Sequence, residues 1–123
     1  MTPSEYIQKA RRTESETYLF PATGEVTPRI EHGIMGIVTE AGELMDAIKK
    51  SKIYGKPLDR VNLVEEAGDV MWYLAILADE LGVSFEEIWE KNIQKLQKRY
   101  PEKYTHDHAL NRDLATERKT LES

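Results

Sequence analysis

Apolar positions along this chain recur at three- and four-residue steps, the spacing of a helix face rather than of a strand. Ile34, Ile37, Val38, Ala41, Leu44, Met45 and Ile48 draw one stripe without a miss. Thr27-Pro28 supplies a capping hydroxyl and a proline at the first helical position, and Tyr54-Gly55-Lys56-Pro57 breaks the pattern. A helix is predicted from Pro28 to about Lys52. The next stripe is Leu63, Val64, Ala67, Val70, Met71, Leu74, Ala78 and Leu81, which predicts a helix over roughly Leu58 to Leu81. Trp72 and Ile76 sit on the back of its C-terminal half, so this helix should pack on two sides, the second against another subunit. Gly82 ends it. Ser84-Phe85-Glu86-Glu87 is a capping box for a further helix that ends near Tyr100-Pro101. Upstream, Thr2-Pro3-Ser4-Glu5 opens a first helix that is predicted to run to about Tyr18, before a turn at Phe20-Pro21-Ala22-Thr23-Gly24. Leu110, Leu114, Glu117 and Leu121 give a fifth, more polar amphipathic pattern. That tail should lie on the bundle or on a neighbouring chain. No strand pattern survives anywhere. The expected fold is all-α: a helical bundle of about four to five helices in a single domain, 1–123, with a core over about 28–104 and a helical tail over about 106–123.

Composition narrows the function. Hydrophobic residues at 40% and charged residues at 32% fit a soluble globule rather than a disordered chain. A net charge of −5 argues against nucleic acid and anionic membrane as partners. It also means that a polyphosphate would need a metal ion or a local cationic patch. With no cysteine, disulfide and thiolate chemistry are excluded. The N-terminal stretch has no apolar run and no 18-residue apolar segment exists, so neither a signal peptide nor a membrane span is expected, and the cytoplasm is the expected compartment. No GxxxxGK[ST] loop and no serine or cysteine nucleophile motif is present.

The chemistry that does stand out is acidic and repeated. Glu40-Ala-Gly-Glu-Leu-Met45 is echoed by Glu66-Ala-Gly-Asp-Val-Met71, each copy in the same phase of its own stripe. Acids at i and i+3 share a helix face, so Glu40 projects with Glu43 and Glu66 with Asp69. With Ala41 and Ala67 taken as the centres of the stripes, the acids fall at the edge of each apolar face. Antiparallel packing of the two helices would line four carboxylates along one seam. Such a seam is strongly self-repelling unless something neutralises it. Hard divalent cations with oxygen ligands do so, and a magnesium pair could orient a triphosphate, activate water and stabilise a leaving oxygen. A solvated acidic patch balanced by nearby lysines is the plainer reading of any one such pair. Two pairs in matching phase weigh against it. Gly42 and Gly68 between the acids suggest close approach by a helix or a ligand, since glycine inside a helix costs about 1 kcal/mol relative to alanine.

ExxE, a spacer and ExxD on a helical hairpin resemble the MazG-like nucleoside triphosphate pyrophosphohydrolases of the all-α pyrophosphatase superfamily. The likeness extends over Asp69-Val-Met-Trp-Tyr-Leu and Asn92-Ile-Gln-Lys95-Leu-Gln-Lys-Arg99-Tyr-Pro101, and spans roughly Ile30 to Tyr104. The short chain looks most like stand-alone phage and bacterial members, which for a phage protein would mean the host cytoplasm. The resemblance implies an active site between two antiparallel helices and a homodimer or homotetramer. It implies magnesium dependence, with Mn2+ as a substitute, and cleavage of a nucleoside triphosphate to the monophosphate and pyrophosphate, in sanitation or modulation of the nucleotide pool. Glu40, Glu43, Glu66 and Asp69 carry over as metal ligands. Glu40 and Glu43 are the expected catalytic pair, with Glu40 or metal-bound water as the general base. Many relatives have a glutamate doublet in the first motif, and this chain has Thr39 before Glu40.

Other residues fit the same reading. Asn92, Lys95 and Arg99 share one face of the fourth helix, and lysine and arginine suit phosphate oxygens. The rival for them is a basic helix end that favours the C-terminal dipole. Tyr73, one turn after Asp69, could contact substrate or simply pack. His32 shares a side of its helix with Gly36 and Glu40, and is a substrate contact or a structural histidine. Trp72 and Trp89 read as core or interface, His106 and His108 as solvated, and Lys49, Lys50 and Lys52 as a solvated helix end. The alternatives to a general triphosphate substrate are phosphoribosyl-ATP or dUTP and dCTP. The non-enzymatic alternative is a helical interaction module with an acidic face.

Overall fold

Each helix begins where a side chain satisfies its free backbone amides. In the computed structural model, which describes residues 1–123, these starts give six helices and no strand. The first, α1 (Pro3–Arg11), has Thr2 as its cap, with Glu5 returning the bond to the Thr2 amide, a complete capping box. Thr27 caps α2 (Pro28–Lys52), Asp59 caps α3 (Arg60–Leu81) and Ser84 caps α4 (Phe85–Arg99). Gly82 ends α3 in the left-handed conformation at φ 69°, where a Cβ would be strained. No helix is long and apolar enough to cross a membrane.

The first compact unit, Met1–Val83, holds α1, α2 and α3. The segment between Lys52 and Arg60 turns α2 back along α3, and the two pack as an antiparallel hairpin. Two glycines of α2 lie against α3, and the contact is tight at one of them, Gly36. A Cβ on Gly33 would come within 3.5 Å of Leu77, and one on Gly36 would overlap the ring of Tyr73. The buried residues of this unit are small or branched: Ala47, Ala75, Ile76 and Ala78, joined by Ala10 of α1.

Two tethers hold α1 and its following loop. Trp72 donates its indole N–H to Thr13 Oγ1 at 2.7 Å. Arg29 donates to both carboxylate oxygens of Glu14 at 2.9 Å and bridges to Asp79 and Glu80, each at 2.9 Å. These bonds explain why α1 stops at Arg11 rather than near Tyr18. The Thr13 hydroxyl bonds back to the Ala10 carbonyl, Ser15 ties to Thr17, and Glu14 is drawn to Arg29 and Tyr18. Local side-chain bonds outcompete the helix ladder there.

The apolar stripes do not face inward as their pattern predicts. Ala41 and Ala67, the expected centres, lie outside the core, and Val38 is 66% and Val64 75% exposed. Gly42 and Gly68 have open space within 4 Å of where a Cβ would stand, so the close approach expected there occurs instead at Gly33 and Gly36. Each helix is rotated so that small residues and acids meet, while much of each stripe points away.

The second compact unit, Ser84–Ser123, holds α4, α5 (His106–Leu110) and α6 (Leu114–Glu122), with α6 packed on α4. The predicted tail helix is two helices, because Asp113 starts a new one by accepting from the Thr116 amide at 3.1 Å. Glu117 is 4% exposed and accepts from Arg99 at 2.9 Å and Arg112 at 2.6 Å. The two guanidinium groups hold its carboxyl well down, at about 2. Phe85 stacks on Trp89 with ring centres 6.0 Å apart.

Candidate metal centre

The antiparallel hairpin turns the sequence repeat into a facing pair. Gly33 lies against Leu77 and Gly36 against Tyr73, so each turn down α2 meets a turn back up α3. One turn further, Glu40 meets Asp69 and Glu66. A carboxylate oxygen from each of these three acids lies within 4.8 Å of the others. Glu40 and Glu66 are half-buried and Asp69 is exposed. Glu43 is not within this cluster. It is exposed one turn on, where it lines a pocket of about 380 Å³ with Asp46, Lys50, Lys56, Asp59 and Asn62.

None of the four acids forms an ion pair with a lysine or arginine. Lys50, which lines the same pocket, is bound instead to Asp46 at 2.8 Å. The cost shows at Glu40. Its carboxyl is raised above the ordinary glutamate value, first by desolvation, then by a hydrogen bond with Glu66 and by the negative charges of Asp69, Glu66 and Glu43. Three hard oxygen donors converging without a cationic partner match the chemistry of a magnesium or manganese site. The donor set therefore fits a divalent metal.

Two neighbours carry no mark in the acidic motif. Asn62 donates its side-chain amide to Glu66 Oε1 at 3.0 Å and fixes that carboxylate. Its position four residues before Glu66 is a legible signal, since such pairs share a helix face. Burial raises the phenol of Tyr6 on α1, and the charge of Asp69 adds to the shift. That approach depends on how α1 docks, which no local pattern encodes.

The remaining expected residues fall into two groups. His32 and Tyr73 are brought together: their rings meet edge to face with centres 5.4 Å apart. His32 also lies edge to face with Tyr18, whose hydroxyl is 3.4 Å from its Nδ1. Trp72 abuts Tyr73 at 5.0 Å, which completes an aromatic chain across the hairpin. Asn92, Lys95 and Arg99 belong to α4 of the second unit. There Asn92 is exposed, Lys95 is half-buried, and Arg99 is held by Glu117.

The helical hairpin falls within a stretch of chain that a known family also carries. Residues 23–104 match the MazG nucleotide pyrophosphohydrolase domain, two thirds of the chain, and the chain belongs to that family. It is 35% identical over 91 residues to the Gene 37 protein of Mycobacterium phage L5, covering 69% of this chain and 80% of that protein. It is also 35% identical over 103 residues to the uncharacterized protein YvdC of Bacillus subtilis (strain 168), covering 76% of this chain and 95% of the relative. No solved structure gives a significant match.

Proposed function

We propose that the chain is a magnesium-dependent pyrophosphohydrolase that cleaves a canonical or modified (d)NTP between its α and β phosphates, acting on the nucleotide pool of the cytoplasm. The observation that carries this reading is the group Glu40, Glu66 and Asp69, whose oxygens converge within 4.8 Å without a basic partner in a chain of the MazG family.

Glu40, Glu66 and Asp69 would hold the ion, with Glu43 completing the set from the next turn of α2. When bound, magnesium neutralises these acids and polarises the phosphate oxygens. Asn62 keeps Glu66 aimed by its 3.0 Å bond. Water attacks the α-phosphorus, and its proton passes to a Glu40 carboxylate oxygen. The bond from the α-phosphorus to the bridging oxygen breaks, and pyrophosphate leaves with that oxygen.

A second copy of the chain is part of the proposal. What supports it is the outward side of the hairpin: Val38 and Met45, each 66% exposed, and Val61 at 81% on α3. Apolar surface gathered on one side of a helix pair marks an interaction face.

The deciding experiment is a panel of ribo- and deoxyribonucleoside triphosphates and phosphoribosyl-ATP, with pyrophosphate detection, run with magnesium and again with EDTA. Pyrophosphate release from one or more (d)NTPs, lost in EDTA and in Glu66→Gln with the helical circular dichroism intact, is expected. Turnover of phosphoribosyl-ATP alone would overturn the substrate assignment. No metal-dependent turnover of any nucleotide would favour an interaction module.

A further inference from the structure

We propose that Tyr73, packed against Gly36, is the spacer that sets the separation of the α2 and α3 carboxylates, and so acts as a positioning residue for the metal centre. This rests on the metal reading given above.

The contact lies one helical turn from the acids on both sides. Gly36 precedes Glu40 by four residues and Tyr73 follows Asp69 by four. The two faces are fitted to each other: a Cβ on Gly36 would overlap ring carbons of Tyr73. Gly33, one turn earlier, is different. There a Cβ would meet Leu77 and the Tyr73 carbonyl at 3.5 Å, ordinary van der Waals contact. Only one of the two glycines is required by the space.

The ring has little freedom to yield. His32 meets it edge to face at 5.4 Å and 88°, and Trp72 does the same at 5.0 Å and 85°. Trp72 is itself fixed by its 2.7 Å bond to Thr13. Aromatic pairs in this geometry resist displacement beyond what their buried area implies. A methyl group on Gly36 must therefore push α2 from α3 or tilt the ring into His32 and Trp72. Either change is felt one turn away, between Glu40 and Asp69.

Metal selectivity reports that change. Magnesium demands near-ideal octahedral geometry at about 2.0–2.1 Å, while calcium accepts oxygens at about 2.3–2.6 Å in looser arrangements. A hairpin held too wide should lose the small ion and keep the large one. A merely structural defect would weaken both alike.

The test is titration of the full chain with Mn2+ by electron paramagnetic resonance, with Mg2+ and Ca2+ measured by competition, beside thermal melting of each variant. Gly36→Ala is expected to weaken Mn2+ and Mg2+ binding about tenfold or more, the size of effect seen when a supporting contact behind a metal ligand is lost. Its Ca2+ affinity should change much less. Gly33→Ala should bind all three ions as the parent does. Tyr73→Ala, which removes Cγ and the ring and so the overlap and the spacer together, should leave the separation of the acids unfixed and weaken Mg2+ and Mn2+ more than Ca2+, which tolerates looser arrangements, and adding Gly36→Ala to it should cost no further affinity. Tyr73→Ala decides alone if Gly36→Ala does not fold. Unchanged affinities in these variants overturn the proposal, as do equal losses in Gly33→Ala and Gly36→Ala, or parallel losses of Mg2+ and Ca2+. A parent chain that binds no Mn2+ overturns the metal reading itself and the spacer role with it; a parent that binds separates the two.

Discussion

Glu40 sits where a lone carboxylate is least comfortable, half-buried and facing Glu66 and Asp69 without a lysine or arginine to answer it. Its raised carboxyl makes the metal-free protein sensitive to pH in a defined direction. A group that binds its proton more tightly folded than unfolded stabilises the fold below its ordinary value, and that contribution fades as pH rises through the raised folded value. In EDTA the melting temperature should therefore contain a component that falls as pH climbs above the usual glutamate range. Glu40→Gln should flatten that component and melt higher than the parent near neutrality, although it lacks one of the proposed metal ligands. A melting curve that responds identically in parent and variant would contradict the electrostatic account of the centre. The spacing of the acids makes them legible in the sequence: i and i+3 fixes a shared face, and the hairpin supplies the opposing pair. What the spacing does not disclose is that Glu43 stands a turn outside the tight cluster, or that Asn62 holds Glu66. Both depend on the rotation of α2 about its axis, which an apolar stripe alone does not determine when two surfaces compete for it.

At the level of elements, helix starts are far more legible than helix ends. Thr2, Thr27, Asp59 and Ser84 cap four helices by their own side chains, and such bonds are local. The end of α1 is set by Trp72 and Arg29, residues distant in sequence, so the pattern overruns it. The tail reads as one helix because Leu110, Leu114 and Leu121 keep helical spacing across the break that Asp113 introduces. Within that unit, the Glu117 carboxylate ties α6 to α4 through Arg99, which donates to both of its oxygens, as Arg112 does, and Lys91 of α4 adds a bond to the Leu121 carbonyl. Glu117→Ala should leave two guanidinium groups facing each other and release α6. Hydrogen exchange should then lose protection over Leu114–Glu122 while α2 and α3 keep theirs. The sign with pH is opposite to that of Glu40: a carboxyl lowered to about 2 gives stability that is present above the ordinary glutamate value and lost as pH falls toward about 2. The α4–α6 contact should accordingly survive mild acid. Loss of protection at about pH 5 in the parent, above the ordinary glutamate value, would show that the arginine pair is not what holds it.

For the whole molecule, the outward apolar side of the hairpin predicts association. Val38→Glu combined with Val64→Glu places charge on both helices at positions that are 66% and 75% exposed in the single chain, where neither should disturb the monomer fold. Light scattering after size exclusion should find the parent as a dimer or tetramer and the double variant as a monomer with unchanged helical signal. A parent that runs as a monomer would leave that apolar side without an occupant. The sequence shows this surface without revealing its destination, since a stripe records only that water is avoided. A last consequence follows from the three acids that no basic side chain answers. A protein that keeps like charges together in its native state, and scatters them on unfolding, borrows its cohesion from whatever cation it meets. Its resistance to heat and urea should climb with free magnesium, by about 1.4 kcal/mol for each tenfold increase once the ion is well above its dissociation constant. The same chain would then be firmer where magnesium is plentiful and looser under chelation, with its lifetime against proteases tracking the ion supply.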